Sequence, residues 1–284
     1  YNYSWWIVWW RTVALASPEA VKAAAAAGHP LPQTVPKLIH QTWITKEIPD
    51  MWREASDACK NLHPDYEYKL WTDAEGEELI ATKFPWFLNT YRGYTHNIQR
   101  VDAVRYFILY EYGGLYIDLD IHCQKSLEYL RHFNFTAPKT YPIGLSNDFI
   151  VSQPRDPFAR RLIDNLHKWD RNFLFKYATV MFSTGPMFVT IQYTLHNAKQ
   201  AVYELPAAIY GKYVKGPEAY MKHLHGSSWH GNDAKYVFFL EHYWLQLVVV
   251  GSLAAVALAY YVYQRYMLTS QLPYKRLEMG PARV

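Results

Sequence analysis

With 284 residues, a formal net charge of +4 and 19% charged residues, the chain has room for one large domain or two small ones, and its charge is too small and dispersed for a nucleic-acid surface. There are no Lys/Arg blocks and no zinc-type cysteine spacing; Cys59 and Cys123 alone are open to one disulfide in an oxidising lumen or to two inert thiols. Aromatic residues form 17% of the chain, enough for stacking surfaces or a membrane interface besides the core.

The first residue is not Met, which reads as processing or truncation, and Tyr1 to Trp10 has the tryptophan and tyrosine content of the interfacial end of an N-terminal anchor. An alanine run at 23–27 and Gly28, Pro30, Pro32 and Pro36 then mark a stiff linker, so 1–36 is expected to be a membrane-proximal segment and linker. The stretch 37–242 is long enough for a single domain with a sizeable core. Lys37 to Ile44 reads as a buried strand, Pro49 to Cys59 as helical, Tyr66 to Trp71 as a second strand, and Asp73 as the N-cap of a helix through Ile80. This alternation predicts an α/β fold with a mostly parallel sheet and ligands at the carboxyl ends of its strands.

Ile98, Val101, Ile108, Leu109 and Tyr112 recur at helical spacing from Asn97, and Gly113-Gly114 is a helix stop. Asp102 and Arg105, three apart, share one side of that helix. Leu115, Ile117, Leu119 and Ile121 then alternate with Tyr116, Asp118, Asp120 and His122, the period of one strand with an apolar and a polar face. Both aspartates are expected on the polar face, roughly 6 to 7 Å apart. Carboxylates so spaced suit one hard cation, Mg²⁺ or Mn²⁺, shared with an anionic ligand. Tyr141 to Val151 reads as a strand or loop holding Asn147 and Asp148, Pro157 to Lys168 as an amphipathic helix, and Ser183-Thr184-Gly185-Pro186 as the opening of a helix from Met187, its hydroxyls suited to a sugar or phosphate or to ordinary capping. Sequons stand at Asn2 and Asn134, the second a candidate only in a lumenal domain. Tyr243 to Tyr263 carries no formal charge and is long enough to span a bilayer; Arg265, Lys275, Arg276 and Arg283 behind it place 264–284 in the cytosol and the 37–242 domain in the lumen.

Arg100-x-Asp102-x-x-Arg105-Tyr106 followed by Gly113-Gly114-x-Tyr116-x-Asp118-x-Asp120 resembles the sugar-nucleotide signature of the family 32 glycosyltransferases and, within it, the fungal mannosyl phosphorylinositol ceramide synthases. Pro36 to Trp43, Leu70 to Asp73, Ser146 to Asp148, Ser183 to Pro186 and Gly226 to His230 extend the likeness. The resemblance implies a GT-A-like fold and a Golgi enzyme that transfers mannose from GDP-mannose to the inositol of inositol phosphorylceramide with retention, using Mn²⁺ or Mg²⁺ and a multi-spanning regulatory subunit. It implies reaction roles for Asp102, Arg105, Asp118, Asp120 and Trp229, donor contacts from Trp43, Tyr116, Asn147, Thr184 and Ser228, and a metal shell of Asp118, Asp120 and His225, with Ser227 or Ser228 near the metal. Residue by residue the alternatives stay open: Trp43 also reads as core, Asn147 as a turn residue, and His223 fits the third metal position almost as well as His225. The competing functions are a Golgi mannosyltransferase acting on N-glycans or other oligosaccharides and a noncatalytic sugar-nucleotide-binding adaptor.

Overall fold

In a computed structural model describing residues 32–140, 143–212, 216–224 and 232–270, the chain forms two compact units divided between residues 229 and 230. The first unit begins with β1 (Leu38–Trp43), α1 (Asp50–Asn61), β2 (Glu67–Thr72), α2 (Asp73–Lys83), α3 (Leu88–Gly93) and α4 (Asn97–Tyr112). There follow β3 (Gly114–Ile117), β4 (Ile121–Cys123), β5 (Phe135–Pro138), β6 (Phe149–Ser152), α5 (Pro157–Trp169), α6 (Lys176–Ser183), α7 (Pro186–Thr194), β7 (Val202–Leu205), α8 (Ala207–Tyr210) and β8 (Met221–His223).

Six strands form a mixed sheet in the order β2-β1-β3-β6-β5-β7. The β1–β2, β1–β3 and β5–β7 pairings are parallel, whereas β6 runs antiparallel to both β3 and β5. Every position of β3 is buried because each face of the sheet carries its own apolar layer. Tyr116 and Ile150 join Phe107, Ile108 and Leu162 on one face, while Leu115, Ile117 and Phe149 join Ile39, Leu127 and Leu130 on the other. Gly113 and Gly114, at φ +67° and +101°, turn α4 into β3; a Cβ on Gly114 would sit 2.7 Å from the Leu38 carbonyl oxygen.

Three expectations are corrected. The expected single strand through His122 ends at Ile117: the Asp118 N–H makes one last bond in the register of the β3–β6 pair, to the Asp148 carbonyl (2.8 Å), and a turn closed by Ile121 N–H on Asp118 O (3.0 Å) then passes the chain to β4. β4 pairs with β8 in a separate two-stranded sheet, so the two aspartates occupy a turn between sheets and not one strand face. The cap of α2 is Thr72, not Asp73; its hydroxyl accepts from Glu75 N–H while the Glu75 carboxylate accepts from Thr72 N–H, a capping box. The hydroxyls of Ser183 and Thr184 are buried against α4, as described below, and do not open the following helix.

Cys59 of α1 and Cys123 of β4 form a disulfide that ties the strand after the aspartate turn to the outer helix layer. It closes a separation of 64 residues, so loop-closure entropy in the unfolded chain makes it a large local contribution. Replacing both cysteines by alanine is expected to lower stability by about 2 to 4 kcal/mol, read by denaturant unfolding under non-reducing conditions.

His40 is a structural residue of β1. Its Nε2–H donates to the Gly113 carbonyl (2.9 Å) and its Nδ1 accepts from Trp71 Nε1–H (3.2 Å), which defines a neutral tautomer. Burial lowers its pKa to about 4, against the opposing pull of the Gly113 carbonyl. Unfolded His40 takes a proton from pH 6.5 downward and folded His40 does not, so stability is present above 6.5 and falls as pH drops towards 4. The loss is about 3 kcal/mol by the lower limit. His40→Gln is expected to flatten this part of the stability profile, measured by unfolding at a series of pH values.

The second unit, from residue 230, is described as one helix, α9 (Asn232–Ser270). Among the described residues it is the one helix long and apolar enough to cross a membrane, with an apolar window at Val248–Leu268 whose side chains are exposed. Gln264 and Arg265 within that window donate to the Tyr260 and Tyr261 hydroxyls at 2.7 and 3.1 Å, satisfying their polar ends along the helix surface. At about 58 Å the helix outruns a hydrocarbon core of about 30 Å. By length and composition this helix fits a membrane anchor.

Candidate active site

The carboxyl edge of the sheet gathers the site. Parallel pairing of β1 with β3 places Trp43 beyond the last paired residues of β3, and the antiparallel match of Ile117 with Phe149 brings Asn147 and Asp148 to the same edge as Asp118. Trp43 is half-buried there.

Beneath this edge lies a buried ionic network. Arg105 is 2% exposed; its Nη2 is 3.0 Å from Asp102 Oδ1, and its Nη1 reaches Asp118 Oδ2 (3.4 Å) and the Asn147 carbonyl (2.6 Å). The guanidinium lies 4.6 Å from the centre of the Tyr116 ring. The Tyr116 hydroxyl donates to Asp118 Oδ1 (2.8 Å) and therefore accepts from Thr42 Oγ1 (2.8 Å). Asp118 is thus held through both carboxylate oxygens, while its side chain keeps 29% exposure. Asp102 accepts from Asn147 Nδ2 (3.0 Å) and Thr184 Oγ1 (3.2 Å), and Gln99 Nε2 donates to Ser183 Oγ (2.8 Å). Asn147 and Thr184 thus both donate to Asp102, and Asn147 Nδ2 donates to the Tyr106 hydroxyl (3.1 Å) as well. In this geometry Asp102, Arg105, Tyr116, Asn147 and Thr184 form the support on which Asp118 rests.

Asp120 faces a second group. His223 Nε2 lies 3.4 Å from both Asp120 Oδ2 and Asp148 Oδ2. Asp148 also accepts from Ser146 Oγ (2.6 Å), Tyr210 Oη (2.6 Å) and Lys212 Nζ (2.8 Å). Gly211, at φ +84°, turns α8 so that Lys212 meets Asp148; a Cβ there would overlap the Met221 carbonyl oxygen. His223 reaches the turn because β8 pairs with β4, opposite Ile121.

Electrostatics separate these carboxylates. Burial, then the charge of Asp118, pushes Asp120 up to about 6, with His223 opposing. Burial also raises Asp118 and Asp102, with Arg105 as the main opposing charge on each. Burial works to raise Asp148 as well, but the Lys212 ammonium and His223 override it and hold that carboxyl well below its ordinary range. The turn therefore presents Asp120, which burial and Asp118 make costly to ionise, beside Asp118, whose charge Arg105 offsets, and Asp148, held ionised by Lys212 and His223.

Trp229, Ser227, Ser228 and His225 lie outside the described residues, so the expected metal shell is described only for its two aspartates. Among the described residues no group of three or more His, Cys, Asp or Glu is arranged to hold a metal ion. Sequence reasoning gave Asp148, Tyr210 and Lys212 no role. Asp148 lay within a stretch carrying the resemblance; Lys212 had no local signal, since only the tertiary fold brings it to the edge.

Residues 49–137 match the family described as a glycosyltransferase sugar-binding region containing a DXD motif, a span that includes Asp102, Arg105, Asp118 and Asp120. The chain is 41% identical over 232 residues to inositol phosphoceramide mannosyltransferase 3 of Schizosaccharomyces pombe, covering 81% of this chain and 65% of that relative. It is 38% identical over 234 residues to inositol phosphoceramide mannosyltransferase 1 of the same yeast, covering 80% of this chain and 72% of the relative. The chain belongs to the inositol phosphoceramide mannosyltransferase family. It spans somewhat less than two thirds of the first of these relatives. Among solved structures, the PaToxG glycosyltransferase aligns with a TM-score of 0.47 and 17% identity, over 67% of this chain and 81% of that one. Within this mannosyltransferase family the Asp118-x-Asp120 pair is the DXD motif of the matched region.

Proposed function

We propose that the protein is a membrane-anchored, metal-dependent, retaining mannosyltransferase that moves mannose from GDP-mannose to the inositol of inositol phosphorylceramide. The observation that carries this reading is the kinship with inositol phosphoceramide mannosyltransferases, in a chain whose two DXD carboxylates stand partly exposed at the carboxyl edge. The donor set fits a hard divalent cation: such ions take one or two carboxylates together with substrate phosphates, and Asp120 is a carboxylate that burial and the neighbouring Asp118 make costly to ionise, beside Asp118, whose side chain stays partly exposed. Mn²⁺ or Mg²⁺ held by Asp120 and the exposed side of Asp118 would supply charge to a diphosphate leaving group.

This chain's own residues do the positioning. Arg105 and Tyr116 fix the two oxygens of Asp118, leaving its open side for donor hydroxyls. Trp43, at the end of β1, offers a ring for the nucleotide base, Trp229 is assigned to the diphosphate, and Ser228 to the donor site. In the retaining reaction the bond from the sugar C1 to the GDP oxygen breaks and the bond from C1 to the acceptor oxygen forms on the same face. The departing phosphate takes the acceptor's proton.

A lumenal catalytic unit in the Golgi is supported by the Cys59–Cys123 disulfide, which needs an oxidising compartment, and by the cations that follow the apolar segment. A multi-spanning regulatory subunit is proposed as partner; purification in mild detergent without any such protein would remove it. The function is tested by transfer of labelled mannose from GDP-mannose to inositol phosphorylceramide, with Mn²⁺ or Mg²⁺ against chelator. Metal-dependent labelling of the lipid is expected. GDP-mannose binding without lipid labelling would overturn the acceptor and keep the donor.

A further inference from the structure

Between α5 and α6 the chain runs Asp170-Arg171-Asn172-Phe173-Leu174-Phe175, and its tip is apolar where a loop is ordinarily polar. Leu174 is 88% exposed and Phe175 57%, and Leu174 stands at φ +73°, a left-handed conformation that a branched aliphatic residue rarely adopts. The conformation is built. Asn172 Oδ1 accepts from Leu174 N–H (2.9 Å), Thr179 Oγ1 accepts from Phe173 N–H (3.0 Å), and the Phe173 ring packs against Phe182 at 5.4 Å. Phe173 anchors the loop to α6, while the two residues after it are turned outward.

We infer that this tip is a wedge that enters the headgroup boundary of the bilayer in which the chain is anchored. Charge favours that occupant. Exposed Lys168, Arg171 and Lys176 flank the tip, and Asp170 is the one acidic residue among them, a pattern suited to an anionic lipid surface with apolar side chains inserted below. Size favours it as well. Two apolar side chains fall far below the roughly 800 Å² per partner of a stable protein interface, whereas an anchored chain needs only a weak second contact because its anchor already holds it at the surface. The tip is also connected to the site: α6 leads from Lys176 to Ser183, and the next residue, Thr184, bonds Asp102, so about 12 Å of helix joins wedge to network. The wedge would orient the carboxyl edge towards a bilayer-borne acceptor, and this functional arm rests on the lipid acceptor proposed above.

The test uses the full chain reconstituted in phosphatidylcholine vesicles containing phosphatidylinositol. Cys59 and Cys123 are paired, so a Leu174→Cys variant takes a single environment-sensitive fluorophore, with Lys199→Cys, at an exposed position elsewhere, as the reference. The label at 174 is expected to shift to the blue and to be quenched several-fold more strongly than that at 199 by a spin label carried near the lipid headgroup. Equal quenching at the two positions overturns the wedge. A label shielded from aqueous iodide yet untouched by the lipid quencher also overturns it, by showing a protein cover. Leu174→Ser/Phe175→Ser is expected to raise the apparent KM for acceptor in vesicles about tenfold, with kcat on detergent-dispersed acceptor unchanged; an unchanged KM in vesicles counts against the orienting role. Lipid quenching at 174 without any mannosylation of the lipid would support the wedge while refuting the proposed acceptor.

Discussion

Asp120→Asn is expected to abolish mannose transfer, by about 10³-fold or more in kcat, while the protein folds at least as well as the wild type at neutral pH. The two halves of this expectation come from one cause. Burial and the neighbouring Asp118 make the ionised Asp120 unfavourable in the folded state, which is why it holds its proton up to about pH 6. Removing that charge while keeping the shape of the side chain relieves repulsion, and Asp148 still offers His223 a carboxylate at 3.4 Å. A residue kept for folding would behave the other way. Because the folded carboxyl titrates near 6, a cation binding there must displace a proton at lower pH; the apparent affinity for Mn²⁺ is therefore expected to weaken as pH falls through 6 in the wild type. Titration of Mn²⁺ into the full-length protein, followed by calorimetry, should show this dependence in the wild type and lose it in Asp120→Asn. Full turnover in the folded variant would remove Asp120 from the chemistry.

Elements governed by local signals were legible from the sequence. α4 runs over the expected Asn97–Tyr112, because its apolar spacing and the two glycines after it are enough to specify both ends. The aspartate stretch misled for a physical reason: Leu119 in the turn is buried like Leu115, Ile117 and Ile121, so the period-2 pattern runs unbroken across a point where the backbone leaves one sheet for another. Alternation reports which side chains are buried, and here two strands and a turn satisfy it as well as one strand would. The partners of the aspartates were hidden more deeply. Asp148 arrives through antiparallel pairing, His223 through the small β4–β8 sheet and Lys212 through a left-handed glycine; the stretches around Asp148 and His223 carried a signal, but their meeting at the aspartates follows from tertiary pairing, and Lys212 had no signal of its own. The disulfide was open for the same cause, since it follows from the seating of α1 against β4. For Arg105 the side of the helix was legible and its depth was not: it lies buried under Asp118.

That depth makes Arg105→Met the substitution with the largest expected effect on stability, a loss of about 3 to 5 kcal/mol. The guanidinium is the counter-charge for two carboxylates, 3.0 Å from Asp102 and 3.4 Å from Asp118, and it also fills the Asn147 carbonyl's need for a donor. Methionine restores the volume and none of these interactions. Asp102, already raised by burial and held down chiefly by Arg105, would rise further in the folded variant. The folded state then binds more protons than the unfolded state over the acid range, so part of the lost stability returns as pH falls, the opposite slope to that set by His40. Arg105→Lys is expected to fall between the two, because an ammonium keeps the charge but cannot reach Asp102, Asp118 and the carbonyl as a planar fork does. The decisive variant is Arg105→Met combined with Asp102→Asn: it removes the buried charge together with its partner and should recover much of the stability. It should not recover turnover, since Asp118 still lacks the guanidinium that holds its Oδ2 oxygen. Unfolding curves and mannose-transfer kinetics on the same three variants separate these effects, and recovery of activity along with stability would show that Arg105 serves the fold alone.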